Sequence, residues 1–229
     1  MSLSPPFKEA SIPSGSIMQN LLTGLPLLGL SGAYLATWIN PSCLGQDTAG
    51  ELAILIGVEF VLVHGYGFMA KAALEGAVKV LIGMSLFYSL FLIGYCLIAK
   101  ALWPVLPLVW MTLGKMTDTF NRKPGSQGSD ALIRATIDTR WGCAIGAYIL
   151  FAFLTVIIPL PELGLKNGDY NREFFRELGG EWGRNPEKPL AFGFLYFGTL
   201  GILELLGRMH TTAAAHLAKE ERRTQWKTK

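Results

Sequence analysis

Ionisable side chains inside long apolar segments are the residues of this chain best suited to do chemistry. Glu59 and His64 lie within residues 58–69, VEFVLVHGYGFM, and Glu204 and Arg208 lie near the end of another apolar segment. A charged group near the centre of a bilayer is strongly disfavoured unless it is paired, hydrated or neutralised, so such residues turn inward in a helix bundle. We therefore predict that these four residues form a polar path for a proton or an ion.

The spacing of the four residues predicts where they lie along this path. At a rise of ~1.5 Å per residue, Glu59 falls near the middle of a bilayer and His64 about 7 Å closer to the cytoplasm. Glu204 is expected at the depth of His64, with Arg208 four residues on and able to pair with it. Glu59 and His64 are separated by about 140° around a helix, so they share one small site only if the helix is distorted.

A structural interpretation competes with the functional one. A neutral Glu59 or His64 can hydrogen-bond to a neighbouring helix and simply hold the bundle together. The tripeptide Gly65-Tyr66-Gly67 also occurs in potassium-channel filters, but here it follows a valine and a histidine within one continuous apolar segment. We interpret these glycines instead as places where neighbouring helices approach closely.

Composition and hydropathy indicate the elements that must position these residues. The chain has 229 residues, of which 51% are hydrophobic and only 16% are charged, whereas soluble domains carry about 25% charged residues. This predicts an all-α, polytopic membrane helix bundle with the lipid bilayer as its main partner. Five segments are suitable spans, and a sixth is shorter and contains two prolines; they are 20–39, 51–70, 78–99, 141–160, 189–208 and, as the sixth, 101–116.

The distribution of Lys and Arg sets the predicted orientation. Six spans with both termini in the cytoplasm place most basic residues inside, as the positive-inside rule requires; five spans with the N-terminus outside is the alternative. The predicted regions are a mobile tail (1–18), the bundle (19–208) with a cytoplasmic loop (115–140) and an extracytoplasmic amphipathic segment (161–188), and a basic cytoplasmic end (209–229). We expect the last span to continue directly into this end, and we expect a bacterial cytoplasmic membrane.

The sequence contains few residues or motifs that would indicate a cofactor site, an enzyme or another function. The three histidines and three cysteines are scattered along the chain, so no cofactor or metal site is predicted. No hydrolase or nucleotide-binding motif occurs, and a net charge of +3 is too small to indicate nucleic acid.

The first hypothesis is a proton- or ion-conducting membrane protein. The alternatives are an accessory subunit of a membrane complex and a membrane redox, metal or haem protein. A homo-oligomer or a membrane-protein partner is expected.

Overall fold

The described part of the chain is mostly helical. The structure is a computed structural model that describes residues 17–75, 77–99, 109, 127–166 and 168–227, and no strand occurs among them. A short 3-10 turn, Leu163–Lys166, follows the fourth helix. The helices are α1 (Ile17–Ile39), α2 (Thr48–Leu74), α3 (Val78–Ala99), α4 (Gln127–Ile157), α5 (Arg172–Leu178), α6 (Gly180–Arg184), α7 (Glu187–Leu205) and α8 (Arg208–Lys227).

Three of the described helices are long and apolar enough to cross a membrane. The stretches are Asn20–Ile39 in α1, Thr48–Ala72 in α2 and Ala131–Ile157 in α4, and α3 carries a shorter apolar stretch, Ile82–Ile98. The described residues confirm the prediction of an all-helical chain with several helices that can cross a membrane. The count of six spans and the side of the termini stay predictions, and the span predicted over 101–116 lies outside the described residues.

Apolar side chains cover much of the outer surface of α3 and of the second half of α4. Such faces are typical of helices that meet lipid or another apolar surface. The exposed residues include Val80, Ile82, Leu86, Phe87, Leu90, Phe91, Ile93, Leu97 and Ile98 in α3, and Ile149, Leu150, Phe153, Val156 and Ile157 in α4.

Helix α2 is held by tyrosines from three neighbouring helices. In each case a phenolic hydroxyl donates a hydrogen bond to a main-chain carbonyl near the start of α2, which gives the ring a polar partner inside the apolar core. The three bonds are Tyr34 to Leu52 (2.6 Å), Tyr95 to Glu51 (3.2 Å) and Tyr148 to Ile56 (3.3 Å).

These contacts fix the directions of the helices. Tyr95, near the end of α3, reaches the start of α2, so α3 runs antiparallel to α2. Trp141, in the first half of α4, lies against Gly67 in the second half of α2, so α4 is antiparallel as well. Ala99 and Gln127 therefore lie at opposite ends of the bundle. One end holds residues 40–47, 158–166 and 168–186 and is called the loop end. The other end holds the ends of α2 and α7 and is called the α8 end.

Helices α1 and α7 pack closely along their length because small residues allow it. Ser31 Oγ donates to the Phe194 carbonyl at 2.8 Å. A Cβ at Gly193 would lie only 2.2 Å from the ring of Tyr34, so glycine is needed for this approach. Tyr34 and Phe197 then stack with ring centroids 5.5 Å apart in the centre of the core.

The amphipathic segment at the loop end contains the short helix α5. Asn171 caps α5 by accepting a hydrogen bond from the Phe174 N–H at 3.1 Å. The helix stops at Gly179, whose φ of 66° favours glycine. Phe175 is buried against the start of α2, and Gly50 leaves room there for the ring of Phe174.

The two C-terminal helices are separate, which corrects the expectation of one continuous helix. Helix α7 ends at Leu205, and Gly207, with a φ of 63°, turns the chain before α8 begins at Arg208. Helix α8 then packs against α4, with Met209 and Ala213 buried. The turn requires a conformation that glycine adopts at little energetic penalty.

Lys188 connects three elements at the loop end. Its Nζ donates to the Val156 carbonyl in the last turn of α4, at 3.1 Å, and to the carboxylate of Glu181 in α6. This hydrogen bond and the adjacent positive charge hold the pKa of Glu181 below its ordinary value of 4.5. A carboxyl with a lowered pKa stabilises the fold above its ordinary pKa, and this contribution is lost as the pH falls through the lowered value.

We therefore expect Lys188→Met to lower the melting temperature at neutral pH. The difference from wild type should shrink once the pH falls below 4.5, because protonation of Glu181 removes that part of the interaction from the wild type. Thermal unfolding in detergent across this pH range measures both effects. Lys166→Met, a change at an exposed lysine of the same end, is the matched control. A difference that stays constant at all pH values would contradict the ion pair.

Candidate functional site

A buried ion pair joins α4 to α7 inside the bundle. Arg140 Nη2 donates to Glu204 Oε2 at 2.9 Å, and Arg140 Nε lies 2.9 Å from Glu204 Oε1. Arg140 is 4% exposed and Glu204 is 7% exposed. A close, hydrogen-bonded contact is the arrangement in which a buried ion pair best offsets the loss of hydration.

Thr23 extends this pair to α1. Its hydroxyl donates to Glu204 Oε2 at 3.3 Å, so three helices meet at one carboxylate. A cavity of about 30 Å³ lies beside the group, and a volume of this size with polar partners accommodates about one water molecule. The cavity is lined by Thr23, Leu27, Val63, Tyr66, Arg140, Ala144, Leu200, Glu204 and Met209.

Arg140 is buried because of its position on α4. Thr136, Arg140 and Ala144 are four residues apart and form one face of the helix, and all three are buried. The expected loop 115–140 therefore ends inside a helix that begins at Gln127. The pairing of Arg140 was not foreseen from sequence, although its place on an otherwise inward-facing stripe is a usable signal.

Glu59 lies deeper in the core, at a second level. It is 0% exposed, and the hydroxyl of Tyr196 donates to its Oε1 at 3.1 Å. Tyr196 and Glu204 are eight residues apart on α7, which separates the two levels by ~12 Å. Between them the interior is mainly apolar, with Leu27 and Leu200 on the side of the cavity.

His64 faces a different direction from Glu59. Its Nδ1 lies 2.7 Å from the Phe60 carbonyl one turn earlier, and its ring lies 4.1 Å from the ring of Phe60, which is 45% exposed. Glu59 and His64 are thus widely separated around α2, as helical periodicity predicts, and α2 is not distorted to bring them together. The structure does not place His64 with the two acids.

Arg208 lies at the start of α8, after the turn at Gly207, and is exposed. The ion pair that the structure describes at Glu204 is the one with Arg140. The four predicted path residues thus separate: Glu59 and Glu204 lie inside the bundle at two levels, while His64 lies towards the outer side of α2 and Arg208 on the surface of the α8 end.

The two glycines around Tyr66 each receive an aromatic ring from another helix. A Cβ at Gly65 would lie 0.9 Å from the hydroxyl of Tyr88 in α3, and one at Gly67 would lie 3.0 Å from the indole of Trp141 in α4. This is the close approach of helices that the sequence predicts for these glycines.

The described residues give little indication of a metal site or of chemistry at a cysteine thiol. Across 17–75, 77–99, 109, 127–166 and 168–227, no group of three or more His, Cys, Asp or Glu side chains is placed to hold a metal ion. The three cysteines are free thiols. Comparison with protein-family models, with curated protein sequences and with solved structures finds no match to this chain.

Proposed function

We propose that this protein is a polytopic membrane protein that conducts protons, with Glu59 as the group that changes its protonation. The main support is that Glu59 is fully buried and hydrogen-bonded to Tyr196, at the point where tyrosines from four helices surround α2. A carboxyl in such surroundings is the type of group that intramembrane proton relays use. A tyrosine hydroxyl both donates and accepts, so Tyr196 serves either state of Glu59.

The Arg140–Glu204 pair is proposed to close the path at its own level, ~12 Å from that of Glu59. A fixed guanidinium opposes the passage of metal cations, while the carboxylate, the hydroxyl of Thr23 and the adjacent cavity form a polar station for a proton. Protonation of Glu204 would weaken its contacts to Arg140, since a neutral acid loses the charge that holds the guanidinium. Proton transfer to this level would thus open the pair.

The six-span topology, cytoplasmic termini and a bacterial cytoplasmic membrane belong to the same proposal. The places of Ala99 and Gln127 at opposite ends of the bundle support the even number of crossings. The Lys and Arg distribution supports the α8 end as the cytoplasmic one.

A second candidate is an accessory subunit of a membrane complex. The observation that favours it is the apolar outer face of α3, which exposes large side chains along its whole length. A partner helix would bury this face as well as lipid does. Under this proposal the buried acids serve only to join the helices.

Proton flux through vesicles that contain the purified protein separates the two candidates. We expect Glu59→Gln to reduce flux by tenfold or more, because glutamine keeps the shape and the hydrogen bond but cannot carry a proton. Flux is measured with a trapped pH-sensitive dye under a potassium-diffusion potential. Glu75→Gln, at an exposed position just after the end of α2, is the control and should conduct as wild type does.

Two outcomes would overturn the proton proposal. One is wild-type flux no greater than that of protein-free vesicles, which would favour the accessory subunit. The other is unchanged flux in Glu59→Gln, which would remove Glu59 from the path. Melting temperatures of both variants show whether the fold is retained.

A further inference from the structure

A groove between α2 and α4 at the α8 end carries two cationic side chains. It has a volume of about 410 Å³ and is lined by Gly67, Phe68, Lys71, Arg134, Ile137, Asp138 and Trp141. Lys71 lies in the last turn of α2, and Arg134 lies in the first third of α4, so the two helices contribute one cation each. Neither residue belongs to the Glu59 or Glu204 sites.

The net charge of the groove lining favours a ligand that carries one negative charge. Lys71, Arg134 and the one carboxylate, Asp138, are all exposed, so the lining carries a surplus of one positive charge. Arg134 and Asp138 are four residues apart on α4 and lie on the same face, where they can interact. Lys71 lines the groove from α2, so each of the two helices offers one cation to an anion there.

Trp141 forms part of the wall of the groove. Its ring packs on Gly67. Tryptophan is also the residue that favours the boundary between lipid and water.

The outer face of α2 leads from the groove along the apolar part of the bundle. Phe60, His64 and Phe68 are four residues apart and therefore lie on one side of the helix. Phe68 is 63% exposed and Phe60 is 45% exposed, and the ring of Phe60 lies 5.3 Å from that of Tyr148 in α4. An acyl chain has an apolar surface to follow directly beside the charged groove.

We propose that this groove binds the headgroup of an anionic glycerophospholipid. Lys71 and Arg134 contact the phosphate, and an acyl chain lies along Phe60 and Phe68. Basic pockets at the ends of membrane helices are suited to such headgroups. Asp138 limits the site to ligands with a small negative charge. The proposal rests on the membrane location of the chain and not on proton conduction.

Native mass spectrometry of the full chain in detergent tests the site directly. We expect phosphatidylglycerol to bind more tightly than phosphatidylcholine. The Lys71→Ala/Arg134→Ala variant should bind phosphatidylglycerol about 25-fold more weakly, at about fivefold for each cation lost. Lys219→Ala/Arg223→Ala, which removes two exposed cations from α8, is the matched control and should bind as wild type does.

Asp138→Asn identifies the part of the headgroup that is recognised. We expect it to bind phosphatidylglycerol severalfold more tightly, since a carboxylate that repels the phosphate is removed. Weaker binding of this variant to phosphatidylethanolamine, together with a wild-type preference for that lipid, would show recognition of an ammonium group and overturn the anionic assignment. Melting temperatures exclude loss of the fold in each variant.

Three further results would overturn the proposal. They are equal binding of phosphatidylglycerol by wild type and the Lys71/Arg134 variant, equal binding of phosphatidylcholine and phosphatidylglycerol by wild type, and displacement of the lipid by millimolar inorganic phosphate. The last result would make free phosphate the occupant. None of them depends on proton flux, so failure here leaves the test at Glu59 intact.

Discussion

Arg140→Met is expected to destabilise the protein by about 3–5 kcal/mol, the largest effect that the structure predicts for a single substitution. The variant leaves the carboxylate of Glu204 buried, with Thr23 as a described partner but without its cation. A charge in this position must either recruit water or take up a proton. Unfolding in detergent with increasing denaturant measures the loss.

The double variant Arg140→Met/Glu204→Met separates stability from function. Replacing both members of a buried pair with apolar residues of similar size is often neutral or stabilising, so most of the lost stability should return. If Glu204 carries the proton at this level, as proposed, flux through the double variant should fall well below that of wild type, because two methionines remove the polar station. Restored stability with wild-type flux would show that the pair only joins α4 to α7. A double variant as unstable as Arg140→Met would contradict the ion pair itself.

Gly193→Ala is expected to cost about 2–3 kcal/mol through steric overlap in the core. The new methyl group would lie 2.2 Å from the Tyr34 ring. That ring cannot move aside easily, because it is fully buried, stacks on Phe197 and is bonded through its hydroxyl to the Leu52 carbonyl. Either α1 and α7 separate or the tyrosine leaves its rotamer.

Gly29→Ala is the matched control for this prediction. Gly29 lies on the exposed side of α1 and has no heavy atom within 4 Å of an added Cβ, so alanine there should be neutral or slightly stabilising. A second variant, Gly193→Ala/Tyr34→Leu, removes the ring that the methyl group meets. The two changes should be less than additive in unfolding measurements. Full additivity would show that Gly193 and Tyr34 do not contact each other as described.

Much of the helical framework follows from sequence because apolar length is a strong signal. The segment predicted over 78–99 coincides with α3, Val78–Ala99. The break at Gly207 was missed, since a glycine inside an apolar segment does not reveal its φ. Helix α4 begins before the predicted span 141–160, and the buried residues Thr136 and Arg140 precede that span.

The site was less predictable than the fold, because the ion-pair and hydrogen-bond partners of a side chain depend on tertiary packing. Hydropathy singles out Glu59 and Glu204 as acids in apolar surroundings, and both are buried. The choice of Arg140 over Arg208 as the described ion-pair partner of Glu204 depends on the turn before α8 and on the angle of α4. His64 illustrates the opposite case: helical periodicity already separates it from Glu59, and the structure keeps it there.

The tyrosine contacts to α2 restrict how this bundle can change shape. Tyr34, Tyr95 and Tyr148 hold α2 through its main chain, and Tyr196 holds it through Glu59. A piston-like slide or a rotation of α2 would break bonds to four helices at once. A tilt of α7 would break the bond from Tyr196 and strain the contacts of Glu204 to Arg140 and Thr23, but it would leave the other three tyrosine bonds in place. If the proposed proton conduction involves a change of shape, α2 is therefore the helix expected to stay in place.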